Sequence, residues 1–139
     1  MLIDLSYKDS EIEKEINNLV GKEFNFLEKI KRGGTGSRQL IIKKSDNDIY
    51  EILSKSYDLN KCNIEIREKG IIIYFRSRQS TYGLAIPYYK LVTFKVDANH
   101  YTLTYDKYFL KIRVEYSSDH KFLKKVLEEK AKFLNQDIS

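Results

Sequence analysis

Basic residues gathered into two turns are the strongest chemical signal in this chain. Lys31 and Arg32 stand on one side of Gly33, Gly34 and Gly36, and Arg38 stands on the other. Three glycines within four residues permit positive φ and a close backbone approach, so exposed N–H groups and cations could converge there on a phosphate. No Gly-Lys-Ser/Thr closes the run, so it is not a Walker loop. The second turn, Arg76-Ser77-Arg78-Gln79-Ser80-Thr81-Tyr82, carries two guanidiniums and three aliphatic hydroxyls that could hold an acidic group by forked hydrogen bonds. Each run also has a plainer reading, as a hairpin loop kept in water by its charge, and the sequence leans towards it.

Charge is unevenly spread. Residues 1–28 hold three lysines against seven acids, whereas residues 29–44 hold Lys29, Lys31, Arg32, Arg38, Lys43 and Lys44 with no acid. Such a segment attracts phosphates, acidic lipid or an acidic partner, although a lysine-rich surface is also ordinary in a chain of net charge +5. Eight of the eleven tyrosines lie between Tyr74 and Tyr116. Beside lysine and arginine they could stack single-stranded bases or centre a protein interface. Tyrosine is also a favoured strand residue that packs its ring and wets its hydroxyl, which is the reading preferred here.

Catalysis has less to draw on. His100 falls in a turn and His120 at the start of the last helix, neither with a partner nearby in sequence. Cys62 sits in a strand pattern and is expected to be buried and inert. No Cys/His spacing suits zinc, and no cofactor or metal is expected. One cysteine excludes an internal disulfide framework and fits a reducing compartment. Met1 to Ser10 shows no basic region leading into an apolar core, and the longest apolar run, Ile71 to Phe75, is far short of a membrane span. A cytoplasmic protein is the expectation. At 139 residues, with 42% apolar and 32% charged, the chain suits one domain spanning residues 1–139.

The elements that must position these residues follow from periodicity. A helix is expected over Glu11 to Val20, with Ser10 and Glu13 spaced as a capping box and Gly21 as its stop. Phe24 to Ile30 and Gln39 to Lys44 read as strands, Ser45 to Asp48 as a turn, and Ile49 to Tyr57 as either helix or strand. Cys62–Arg67 and Ile71–Arg76 flank Glu68-Lys69-Gly70, a turn in which glycine would supply positive φ. Tyr82–Pro87, Lys90–Val96, Tyr101–Tyr105 and Phe109–Tyr116 continue an antiparallel β-meander. Pro87, the chain's one proline, ends a strand or marks an edge. An amphipathic helix from about Ser118 to Gln136 closes the molecule, with Leu123, Leu127, Ala131 and Leu134 as its buried stripe, widened by Phe122, Val126 and Phe133.

This order resembles the pleckstrin-homology-like superfold, and in particular its bacterial members, over about Cys62 to Leu134. The resemblance rests on Asn63-Ile64-Glu65-Ile66 and Gly70-Ile71-Ile72-Ile73-Tyr74, and on Leu84-Ala85-Ile86-Pro87-Tyr88-Tyr89-Lys90-Leu91 leading into a middle strand. The later alternating strands and the final helix complete it. The chain has no Trp where many such domains carry one in the last helix, and Phe122 or Phe133 would stand in for it. The first sixty residues fit the pattern poorly and read as early strands or a private extension.

The resemblance implies an α+β fold, a barrel or strongly bent antiparallel sheet with an N-terminal helix and a C-terminal capping helix. It also implies a basic loop able to meet a phosphoinositide headgroup. The expected task is a non-catalytic binding or scaffold module for a protein or an anionic group. The candidate anion-binding residues are Lys31, Arg32, Gly34, Arg38, Arg76 and Arg78. Two other classes stay open: a single-stranded nucleic-acid binder, which the modest net charge disfavours, and a homo-oligomeric protein. A homodimer would use exposed strand edges at Phe24–Ile30 and beside Pro87, with Tyr88 and Tyr89 at its interface. The deciding observation is whether Arg32, Arg38, Arg76 and Arg78 share one face.

Overall fold

In the computed structural model, which describes residues 1–57 and 59–136, strand pairing dominates the architecture. The elements are β1 (Leu2–Asp4), α1 (Ser10–Val20), α2 (Phe26–Lys31), β2 (Leu40–Ser45), α3 (Asn47–Ser54), β3 (Lys61–Ile66), β4 (Gly70–Ser77), β5 (Ser80–Pro87), β6 (Val92–Asp97), β7 (His100–Tyr105), β8 (Tyr108–Arg113) and α4 (Ser117–Gln136). Eight antiparallel strands form one open sheet in the order β1-β5-β4-β3-β2-β8-β7-β6. The terminal strands β1 and β6 do not pair with each other, so hydrogen bonding does not close the sheet into a barrel. Two meanders, β3–β5 and β6–β8, meet through β2. The first sixty residues therefore supply the central strand that joins them, as well as one edge.

The two faces of the first meander are both covered, by different layers. On one face Ile64, Ile73, Leu84 and Ile86 join Leu103, Leu110 and Ile112 of the second meander in a core that also takes in Ile49 and Leu53 of α3 and Leu123 and Val126 of α4. On the other face Ile16 and Val20 of α1 pack with Ile3, Ile72 and Ala85. Residues 70–73 of β4 are buried on both faces, which is why they read as an unbroken apolar run rather than an alternation.

Several local expectations are overturned. Phe24–Ile30 is not a strand: Asn25 accepts from the Glu28 N–H at 2.9 Å and starts α2, leaving Phe26, Leu27 and Ile30 exposed on its outer side. Asp9, rather than Ser10, caps α1, accepting from Glu11 and Ile12. Asp46 caps α3, so the expected turn opens a helix and the ambiguous segment is helical as far as Ser54. The other Asp46 oxygen accepts from the Phe109 N–H at 2.9 Å, tying that helix start to β8.

Gly70 has no positive φ, unlike Gly21, Gly33 and Gly34. Its role is close approach: a Cβ there would lie 2.2 Å from the Ile86 carbonyl oxygen and 2.8 Å from Val20 Cγ1. In α4 the buried stripe is Asp119, Leu123 and Val126. Phe122, Phe133 and Leu134 are half-buried, whereas Ala131 is exposed and Leu127 stands 42% exposed. The arc that faces the sheet is rotated from the one centred on Leu127. Two α4 lysines anchor the helix through main-chain carbonyls: Lys125 Nζ donates to Arg32 O and Gly34 O, and Lys130 Nζ donates to Leu91 O.

Candidate anion-binding cleft

The four arginines do not share one face. Arg32 lies against α4, with its guanidinium 3.2 Å from Glu129, within reach of Glu28, and 4.1 Å from the centroid of the Phe24 ring. Arg38 lies over Tyr116 at 4.6 Å, near the start of α4. Arg76 and Arg78 line a separate cleft on the first meander. The two basic turns of the sequence are thus two separate places.

Three N–H groups of the glycine segment are already engaged within the protein. Gly33 N–H donates to Ile30 O, Gly34 N–H to Lys29 O, and Ser37 N–H to Ile64 O. The loop forms the C-terminal end of α2, where carbonyls rather than N–H groups are left over, and Lys125 takes two of them. From Thr35 onward the chain runs beside β3: Ile66 N–H donates to Thr35 O, Gly36 bridges Glu65, and Ile64 N–H donates to Ser37 Oγ at 2.8 Å. Lys31 and Arg32 instead border a groove of mixed charge with Glu28, Glu128 and Glu129.

The cleft of about 830 Å³ that holds Arg76 and Arg78 is built by register. Asn63 pairs with Tyr74 and Arg76 with Thr81, and directly opposed residues of an antiparallel pair project from the same face. That face also carries Ile72 and Ala85, which α1 covers. Helix α1 reaches only part of it. Beyond Tyr74 the face is uncovered, and it is bounded by the segment between α3 and β3 through Tyr57 and Leu59.

Lys61, Arg76 and Arg78 bring three cations to the cleft, and none of its described lining residues is acidic. Arg78 holds a positive φ of 57° at the β4–β5 turn, and its Nε donates to Lys55 O at 3.0 Å, which fixes the head of the side chain. Arg76 and Lys61 make no ion pair among the described residues. Sequence reading missed Lys61, because its neighbourhood with Arg76 exists only through the β3–β4 register.

The carboxylate that meets the lining residue Tyr74, that of Glu65, is already engaged. Tyr74 donates its hydroxyl to Glu65 at 2.7 Å, and the Arg67 guanidinium lies 3.4 Å from the same carboxylate. Arg67 also donates to Gly21 O at 2.9 Å, so this buried pair locks the end of α1 to the sheet. Burial, with the hydrogen bond to Glu65 second, pushes the Tyr74 phenol well above its ordinary range and keeps it a neutral donor.

The remaining candidates are placed as follows. Tyr88 is fully buried, donates to Arg67 O at 3.0 Å and packs on Phe133, so only Tyr89 of the expected interface pair is exposed. Tyr101 is buried too, while Tyr74, Tyr82, Tyr105 and Tyr108 are half-buried and packed. Cys62 is buried, and desolvation pushes its thiol up to about 12. His100 binds Asp97 at 2.8 Å and His120 meets the Tyr101 hydroxyl at 3.2 Å, neither of them in the cleft lining. Among the described residues no helix is long and apolar enough to cross a membrane, and no group of His, Cys, Asp and Glu is placed to hold a metal ion. No family model matches the chain, and no curated protein or solved structure matches it.

Proposed function

We propose that this chain is a non-catalytic binding module of pleckstrin-homology-like build that takes an anionic ligand in the cleft beside α1. The observation that carries the reading is the convergence of Lys61, Arg76 and Arg78 on a cleft whose described lining offers no carboxylate to neutralise them. These cations are exposed, and Lys61 and Arg76 form no ion pair among the described residues, so together they set up a local positive field that attracts an external oxyanion and can hold it by charge-assisted hydrogen bonds. Two meanders followed by α4, in the order on which the resemblance rests, support the build. The ligand chemistry is a carboxylate or phosphate group presented on a surface or peptide.

The test uses a labelled acidic peptide, its phosphorylated counterpart and an oligothymidylate, each titrated at low salt. Lys61→Glu with Arg76→Glu should weaken peptide binding by roughly tenfold or more, because each lost charge-assisted contact contributes about 1 kcal/mol or above. Lys31→Glu with Arg32→Glu should leave peptide affinity near wild type. The two peptide arms separate carboxylate from phosphate recognition. A cleft variant that binds as tightly as wild type, or no binding of either peptide, refutes the reading. Oligothymidylate binding that falls steeply with salt and ignores the cleft variant would transfer the function to nucleic acid elsewhere on the surface.

A further inference from the structure

We propose that the free edge of β6 pairs with the same edge of a second copy of this chain, antiparallel about a two-fold axis near Phe94. Strand β6 ends the sheet, and only β7 pairs with it. Every residue in it except Thr93 is exposed, including Val92 at 44%, Phe94 at 56% and Val96 at 51%. An edge of this kind presents unpaired N–H and C=O groups beside apolar side chains, which is the arrangement that recruits another strand. The opposite edge, β1, is three residues long, and its Leu2 and Ile3 already turn into the protein.

The strand is complementary to itself. Its ladder with β7 is regular from Val92 to Lys95 and is interrupted between Lys95 and Asp97, so the pairing surface is short and defined. A two-fold axis at Phe94 sets Phe94 against its own copy and Thr93 against Lys95 of the second chain. Apolar then meets apolar on one face, and no like charges stand opposed. Lys95 and Asp97 cancel, so β6 brings no net charge to the contact although the chain as a whole carries +5. Val92 and Phe94 share their face with Thr104 and Thr102 of β7; Thr104 in turn faces Phe109 of β8 and Thr102 faces Lys111, so the uncharged surface extends inward behind Val92 and ends at a lysine behind Phe94. The irregularity after Lys95 limits the contact to a few residues per chain. Association should therefore be weak, well below the area of a standard stable interface. This inference is independent of the cleft, which lies on the other meander.

Sedimentation velocity on the full chain from about 5 µM to about 500 µM, a range bracketing a dissociation constant near 100 µM, tests it directly. The mass should rise from one chain towards two with concentration, and Phe94→Asp should hold it at one. Cross-linking supplies the second readout. Cys62 is buried and does not compete, so Phe94→Cys should form a disulfide-linked dimer under mild oxidant far faster than Lys124→Cys, an exposed control on α4. Opposed residues of an antiparallel pair have Cα atoms about 4.5–5.5 Å apart, within disulfide reach. One-chain mass throughout overturns the proposal and leaves the edge to a strand from some other chain. A dimer indifferent to Phe94→Asp, or equal cross-linking rates at Phe94→Cys and Lys124→Cys, overturns it as well.

Discussion

Truncating Leu123 and Leu127 separately should show which arc of α4 holds the molecule together. Leu123 is 1% exposed and packs in the core with residues of both meanders, whereas Leu127 is 42% exposed. Leu123→Ala removes three carbons from a closed environment, about 2.4 kcal/mol of transfer free energy at about 0.8 kcal/mol per methylene. The unfilled space adds a cavity penalty, which brings the expected loss to about 3–4 kcal/mol. Leu127→Ala leaves a gap that water fills, so the cavity penalty drops out and only the covered part of the transfer term remains, about 1 kcal/mol or a little more. The slightly better helix propensity of alanine offsets a few tenths of that. With an unfolding entropy of roughly 2.1 cal/mol/K per residue, 3 kcal/mol corresponds to a fall in Tm of about 10 °C, against about 3 °C for the outer site. Urea titration followed by far-ultraviolet circular dichroism, with thermal melts as a check, measures both. Equal losses at the two positions, or a Leu123→Ala protein within about 0.5 kcal/mol of wild type, would show that α4 is docked on a different face.

Two further outcomes follow from close packing. Gly70→Ala should destabilise the protein by about 2 kcal/mol or more, because its Cβ would meet the Ile86 carbonyl and Pro87 Cα, which are backbone and cannot rotate away. A urea midpoint unchanged by this substitution would contradict the β4–β5 register. The Cys62 thiol, pushed up to about 12 by burial, should stay unmodified by a disulfide exchange reagent at pH 8 in the native protein and react within minutes in denaturant. Rapid native-state labelling would mean that β3 opens readily or that Cys62 faces solvent.

The elements that the sequence made legible are those whose own periodicity carries the information. The alternation of Cys62, Ile64 and Ile66, or of Leu103 with Thr102 and Thr104, marks one buried and one wetter face without reference to any neighbour. The apolar face of α1 and its Gly21 stop are equally local. Phe24–Ile30 went the other way because a short apolar cluster fits either period, and the cap at Asn25 decides for a helix. Basic residues at 31, 32, 38, 76 and 78 were visible as charges, but their destinations were not. Arg32 finds Glu129 at a separation of 97 residues, and Lys125 arrives from α4 to occupy the carbonyls of the glycine loop. Arg76 and Lys61 become neighbours only when β3 and β4 pair in register, and only because α1 stops short of them does their face stay open. Likewise no local signal marks β6 as the edge or Leu127 as the exposed side of α4. Periodicity states which side of an element is apolar. Which element lies against that side is decided by long-range pairing, through β2 joining the two meanders and fixing the arc of α4 that the sheet can reach.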